Sequence, residues 1–294
     1  MPNLHQKLIL KDGRTLGYAE AGDLKGKPLF LFHGLHSSRL EVKLFHEEML
    51  ASNIRLISID RPGMGISTFQ ENRKVLDVVA DIEALANSLD IDTFSVLGSS
   101  SGAKYALACA YKIPERLSSC HLVSSAVPVE LVNDDMPKSM RFFSIVLQKM
   151  PWLIKPIFWL SYGKFSKSYS DADKFLTNIT LPLQEVDKVL LKDEHIKKEF
   201  WDIFSESYRQ GTKAVAYDAR LDILKNSWGF NVENIKMNNI HFYHGKLDGG
   251  VPISMARALS EKIKGATFAT FEEEGHLSIF FNGLNSILDN LKKE

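Results

Sequence analysis

Apolar positions in the first third of the chain fall in short runs separated by stretches of helical spacing. Leu8-Ile9-Leu10 and Leu16-Gly17-Tyr18-Ala19 flank Asp12-Gly13, a turn signal, and predict a hairpin. Pro28–Phe32, Ile54–Ile59 and Phe94–Leu97 are apolar runs of strand length. Runs that do not alternate suit strands covered on both faces, as in a parallel sheet. Between them, Val75, Val78, Val79, Ile82, Leu85 and Leu89 recur at spacings of three and four and predict a helix. Strands and helices in alternation imply a doubly wound α/β sheet with right-handed crossovers.

The middle of the chain reads differently. From Val127 to Thr212 no run predicts a strand, and Met140–Lys149 and Leu183–Tyr208 read as helices. Pro137, Pro151, Pro156 and Pro182 break or start helical segments there. Strand signals return at Ile240–Tyr243 and Ala266–Phe271, followed by helical patterns at Ser254–Ile263 and Leu277–Leu291. The expected organisation is one α/β core, residues 1–127 and 213–294, interrupted by a helical insertion over 128–212.

Composition narrows the class of protein. Of 294 residues 45% are hydrophobic and 24% charged, which suits a globular chain and argues against a disordered or fibrous one. Lys plus Arg and Asp plus Glu each number 36, and this balance disfavours a dedicated nucleic-acid binder. Two cysteines, Cys109 and Cys120, cannot make a disulfide scaffold and read as buried, reduced thiols. The first twelve residues hold no apolar run of signal-peptide length. Met150–Phe165 is too short and too interrupted to span a bilayer. A soluble, cytoplasmic protein is the expectation.

Gly98-Ser99-Ser100-Ser101-Gly102 sits between the strand ending at Leu97 and a strong helix former, Ala103–Tyr111. Strand, tight turn and helix, with glycines two before and two after a central serine, is the pattern of a nucleophile elbow and selects Ser100. A serine hydroxyl needs a base to activate it and an acid to orient that base. Of nine histidines, His276 stands in a loop after the last strand and before the last helix. His5, His46, His121, His195 and His241 lie in strand, helix or terminal contexts, and His244 reads as a packing or capping residue at a strand end. Asp248, in the glycine-rich turn after Ile240–Tyr243, is the candidate acid; Asp218 and Asp222 compete, although both read as helical.

Two loops agree with this order. His33-Gly34-Leu35-His36-Ser37-Ser38 follows the Leu29–Phe32 strand and could supply the Leu35 amide to an oxyanion hole, with Ser101 supplying the second N–H. His36, beside it, faces either the pocket or solvent. Asp60–Ser67, rich in glycine, reads as a tight structural loop. Together His33-Gly34, Asp60–Ser67, Gly98–Gly102, Asp248 before Val251-Pro252, and Gly275-His276 resemble the α/β-hydrolase superfamily, in particular its lid-bearing serine-esterase-like branch. The resemblance implies a mostly parallel eight-stranded sheet flanked by helices, a helical lid at 128–212, the triad Ser100, Asp248 and His276, and cleavage of an ester-type bond. No His-x-His-x-Asp-His pattern appears, which disfavours a zinc lactonase, and neither a metal site nor a cofactor is expected. The loop after the first buried strand is not His-Gly-Gly-Pro-Gly, which disfavours proline iminopeptidases, and the serine elbow disfavours haloalkane dehalogenases and epoxide hydrolases. A ligand-sensing signalling protein, a carbon–carbon bond hydrolase and a lactone hydrolase remain alternatives on the same framework.

The insertion is where substrate choice is expected. It carries 13 of the chain's 30 aromatics. Residues 136–170 hold six Lys/Arg (Lys138, Arg141, Lys149, Lys155, Lys164, Lys167) and no acid. The interleaved aromatics are Phe142, Phe143, Trp152, Phe158, Trp159, Tyr162 and Phe165. The simpler reading has Phe142, Trp152 and Trp159 lining a pocket for a small-molecule ester, with solvated lysines. The sharper one has the segment in transient contact with a membrane. No nucleic-acid partner is expected, and the sequence leaves the oligomeric state open.

Overall fold

In a computed structural model, which describes residues 1–293 apart from the side chains of Ser139, Phe143 and Lys293, the apolar runs become one eight-stranded sheet. Its strands are β1 (Asn3–Ile9), β2 (Thr15–Gly22), β3 (Lys27–Phe32), β4 (Ile54–Ile59), β5 (Phe94–Ser99), β6 (Leu117–Val123), β7 (Ile240–Gly245) and β8 (Thr267–Phe271). Their spatial order is β1-β2-β4-β3-β5-β6-β7-β8. The predicted hairpin β1–β2 is antiparallel, β2 meets β4 antiparallel, and every later pairing is parallel. Both faces are covered, which is why the central strands do not alternate in polarity. Phe30 and Phe32 enter one core with Val78, Ile82 and Leu107, whereas Leu29 and Leu31 enter another with Ile287 and Leu288.

Residues 128–212 contain helices and turns only, as far as they are described. A third core joins them: Leu147, Ile154, Phe158, Phe175, Phe200 and Phe204 pack together with Ala214, Val215 and Ala219. Those last residues belong to the helix Lys213–Ile223, whose Leu221 packs into the sheet's core instead. The helix that follows the insertion is therefore shared between the two bodies.

Two helical expectations need correction. Leu183–Tyr208 is not continuous: a short helix, Glu185–Lys188, and a 3₁₀ turn precede the helix Glu194–Ser207. The break is chemical, because the Asp193 carboxylate accepts from the His195 and Ile196 amides and caps a new start. Leu277–Leu291 likewise divides into Ile279–Asn282 and Leu284–Lys293 around Gly283. Cys109 and Cys120 are buried and unbridged. Among the described residues, no helix is long and apolar enough to cross a membrane.

Candidate active site

β5 delivers Ser100 to the carboxyl edge of the sheet. Ser100 has φ +50°, a left-handed backbone that a non-glycine residue adopts only under constraint. The constraint is the turn itself, pressed between β5 and the helix Ala103–Lys112. A Cβ at Gly98 would lie 2.7 Å from Ala103 Cα, and one at Gly102 1.9 Å from the Phe32 carbonyl oxygen, so both flanking positions need glycine. The end of β6 braces the same corner: the Ala126 amide donates to the Ser100 carbonyl (3.1 Å), and the Ser124 hydroxyl to the His276 carbonyl (3.0 Å).

The three residues chosen from sequence meet there. His276 Nε2 lies 2.9 Å from Ser100 Oγ, and His276 Nδ1 lies 2.8 Å and 3.0 Å from the two Asp248 oxygens. Asp248 also accepts from the Gly250 and Val251 amides at 2.8 Å. His244 Nε2, assigned from sequence to packing or capping, stands 3.1 Å from Asp248 Oδ2 and 2.8 Å from the Val251 carbonyl. Burial alone would raise the Asp248 pKa, but the His276 ring and then the His244 hydrogen bond hold it well below the usual carboxylate range. Burial pushes the His276 ring downward, yet the charge and hydrogen bond of Asp248, with Asp187 behind, carry it above the ordinary histidine value.

Asp187 was not found by sequence reasoning. It comes from the short helix Glu185–Lys188 of the insertion and is fully buried. Its carboxylate accepts from the backbone amides of His276 (2.9 Å), Leu277 (2.8 Å) and Ser278 (3.0 Å). The insertion thus grips the histidine loop through its main chain.

The rival acids sit elsewhere. Asp218 pairs with Arg61 (3.1 Å), Arg73 (2.8 Å) and Lys104 (3.4 Å), and Asp222 pairs with Lys104 (2.7 Å). Asp222 also accepts from the Ser101 hydroxyl at 2.6 Å, so this buried charge cluster underpins the elbow. Arg61 donates to the carbonyls of both His33 and Gly34, and Asp60 takes the Arg39 amide and guanidinium. The Asp60–Ser67 loop therefore anchors the neighbouring loop rather than lining the cavity.

Above Ser100 opens a cavity of about 300 Å³ with mainly apolar walls. The core supplies Leu35, Phe280 and Phe281, and the insertion supplies Ile179, Phe200 and Phe204. His36 is on its wall, with Nδ1 2.6 Å from the Tyr208 hydroxyl and its ring stacked on Phe158. Burial and the nearby Arg61 charge lower its pKa to about 3, so the ring is neutral. Glu41 also lines the cavity and accepts from the Ser37 hydroxyl. Phe142, Trp152 and Trp159, expected at the pocket, are instead 70%, 65% and 55% exposed on the insertion's surface. The reason is helix phase: Phe142 and Trp159 each stand five positions from a residue that enters the insertion core, Leu147 and Ile154. Five positions turn about 140° around a helix. Met140 and Tyr162 reach the cavity in their place, while the Phe143 side chain lies outside the described set.

An elbow serine, a histidine and a buried aspartate at the carboxyl edge of such a sheet define an α/β-hydrolase arrangement. A family model described as alpha/beta hydrolase fold matches residues 27–283, and the chain belongs to that family. It is 35% identical over 120 residues to a proline iminopeptidase of Xylella fastidiosa, covering 39% of this chain and 37% of that protein. It is 23% identical over 279 residues to YcgS of Bacillus subtilis, described as an uncharacterized hydrolase, covering 92% of this chain and 90% of the other. The chain spans about a third of the length of the first curated relatives it matches. Among solved structures, an esterase from Exiguobacterium antarcticum aligns over 99% of this chain and 100% of its own, with a TM-score of 0.65 and 21% identity.

Proposed function

We propose that the chain is a serine hydrolase that cleaves an ester-type bond of a small to medium apolar substrate through an acyl-enzyme. The observation that carries this reading is the unbroken hydrogen-bond line from Ser100 Oγ through His276 to Asp248, opening into an apolar cavity. His276 Nε2 takes the Ser100 proton as Oγ attacks the carbonyl carbon. The Leu35 and Ser101 amides hold the developing oxyanion. The tetrahedral intermediate collapses, His276 protonates the leaving alcohol, and the acyl group stays on Ser100. Water, deprotonated by His276, then repeats the attack and releases the acid. Asp248 stays ionised throughout, fixes the ring orientation and stabilises the imidazolium.

The cavity's apolar wall favours a hydrocarbon acyl or alcohol portion over a peptide's polar backbone. In the test, Ser100→Ala is expected to lose hydrolysis of short p-nitrophenyl esters and labelling by a fluorophosphonate probe. Labelling equal to that of the unaltered protein would remove Ser100 from its role.

A further inference from the structure

The aromatics that turn away from the cavity have their own surroundings. Phe142, Ile145, Met150, Trp152, Trp159 and Leu160 are all exposed, from 37% for Met150 to 70% for Phe142. They fall within nineteen consecutive residues of the insertion. None of these side chains belongs to a buried hydrophobic cluster, although Leu147, Ile154 and Phe158 of the same segments do. Exposed apolar surface gathered in this way marks a contact site rather than scattered surface chemistry.

The charge around them has one sign. Lys138, Arg141, Lys149, Lys155, Lys164 and Lys167 are exposed, and no acid occurs from 136 to 170. Arg141 meets Asp134, and Lys167 donates to the Tyr208 carbonyl at 2.9 Å. Lys138, Lys149 and Lys155 have no ion pair among the described residues. The chain as a whole is neutral, so this is a local field and not a consequence of net charge. Tryptophans beside long-stemmed lysines match the boundary between headgroups and acyl chains, where rings sit among glycerol groups and ammoniums reach phosphates.

We propose that the face built by residues 138–167 docks reversibly on an anionic lipid surface, with Phe142, Trp152 and Trp159 seated in the headgroup layer. The face adjoins the cavity: the helix Lys138–Lys149 that carries Phe142 also places Met140 on the cavity wall, and Tyr162 lines it from just beyond Leu160. Docking would bring the cavity mouth to the source of apolar substrates. The inference is independent of which bond Ser100 attacks.

The full chain is sedimented with vesicles of phosphatidylcholine alone and of phosphatidylcholine mixed with phosphatidylglycerol. Binding is expected only to the mixed vesicles and is weakened by high salt. Tryptophan fluorescence reports the seating directly, because Trp201 and Trp228 are buried at 7% and 3% while Trp152 and Trp159 are not. A blue shift and quenching by brominated lipid are expected. Trp152→Ser with Trp159→Ser should abolish both and weaken partitioning at least tenfold. Lys138→Gln, Lys149→Gln and Lys155→Gln together should remove the salt-sensitive part. Both sets should leave hydrolysis of a soluble p-nitrophenyl ester unchanged, since none of these side chains lines the cavity. Absence of binding to either vesicle overturns the proposal. So does binding that neither set of variants reduces, or concentration-dependent self-association that the tryptophan variants abolish, which would make the face a contact between copies of the chain.

Discussion

The core and the insertion each present a buried carboxylate to His276, and they hold it in different ways. Asp248, on the turn after β7, takes the imidazole Nδ1 and is itself fixed by His244 and by two amides of its own turn. Asp187, from the insertion, makes no hydrogen bond to the ring among the described residues; it collects three successive main-chain amides beginning at His276. The core carboxylate sets the proton chemistry of the ring. The insertion carboxylate sets where the ring's backbone sits. An insertion that supplied only pocket walls could be altered freely, whereas this one is part of what holds the His276 backbone in place.

The largest effect is expected at Asp248. Asp248→Asn keeps the shape but leaves Nδ1 facing an amide, so the ring can adopt the wrong tautomer and the imidazolium loses its counter-charge. The expected loss is about 10⁴-fold in kcat with an unaltered fold, read from ester hydrolysis and circular dichroism. A loss below tenfold would mean that His276 draws its orientation chiefly from the insertion side.

Asp187 comes next in size and tests the other half. Asp187→Ala leaves three amides, one of them buried, without this acceptor, and kcat should fall about ten- to a hundred-fold with KM little changed. Asp187→Asn retains an acceptor but removes the negative charge that helps raise the His276 pKa. Protonated His276 then becomes less stable, its pKa falls, and the base is free over a wider acid range. The acid limb of the kcat/KM profile should therefore move to lower pH in both variants, with the larger rate loss confined to alanine. If melting temperature drops while that limb stays in place, Asp187 only holds the insertion together.

These two carboxylates also mark what could be read from the chain. Asp248 was legible because its signal is local: a strand, a glycine-rich turn and a fixed order relative to Ser100 and His276. Asp187 had no such signal. Its partners are backbone atoms eighty-nine to ninety-one positions away, and in a charged helical stretch one acid resembles another. The sheet was legible from apolar runs, since burial on both faces imposes them. Helix phase in the insertion was not, because aromatics recur along it without a clear period, and Phe158 is buried while Trp159, one position on, is exposed. Asp193, a capping residue by type, was overrun by apolar spacing that continues across the break.

Glu41 gives the smallest expected effect. It too is a buried carboxyl at this site, contributed by the core, but it forms no salt bridge among the described residues and feels a cation only through the field of Arg61, beside hydrogen bonds from Ser37 and the Gly34 backbone. Burial pushes its pKa up to about 7, against the weaker pull of the Ser37 hydroxyl, whereas Asp248, rich in donors, is driven the other way. A carboxyl whose folded pKa is raised from 4.5 to about 7 binds its proton more tightly in the folded state. Its contribution is fully present below pH 4.5 and is lost as pH rises through about 7. Glu41→Gln, which cannot ionise, should therefore melt close to the unaltered protein in acid and a few degrees above it beyond neutrality. Parallel melting curves from acid to alkaline pH would show that Glu41 ionises in the fold as freely as it does in water, and that the Ser37 hydroxyl is partner enough.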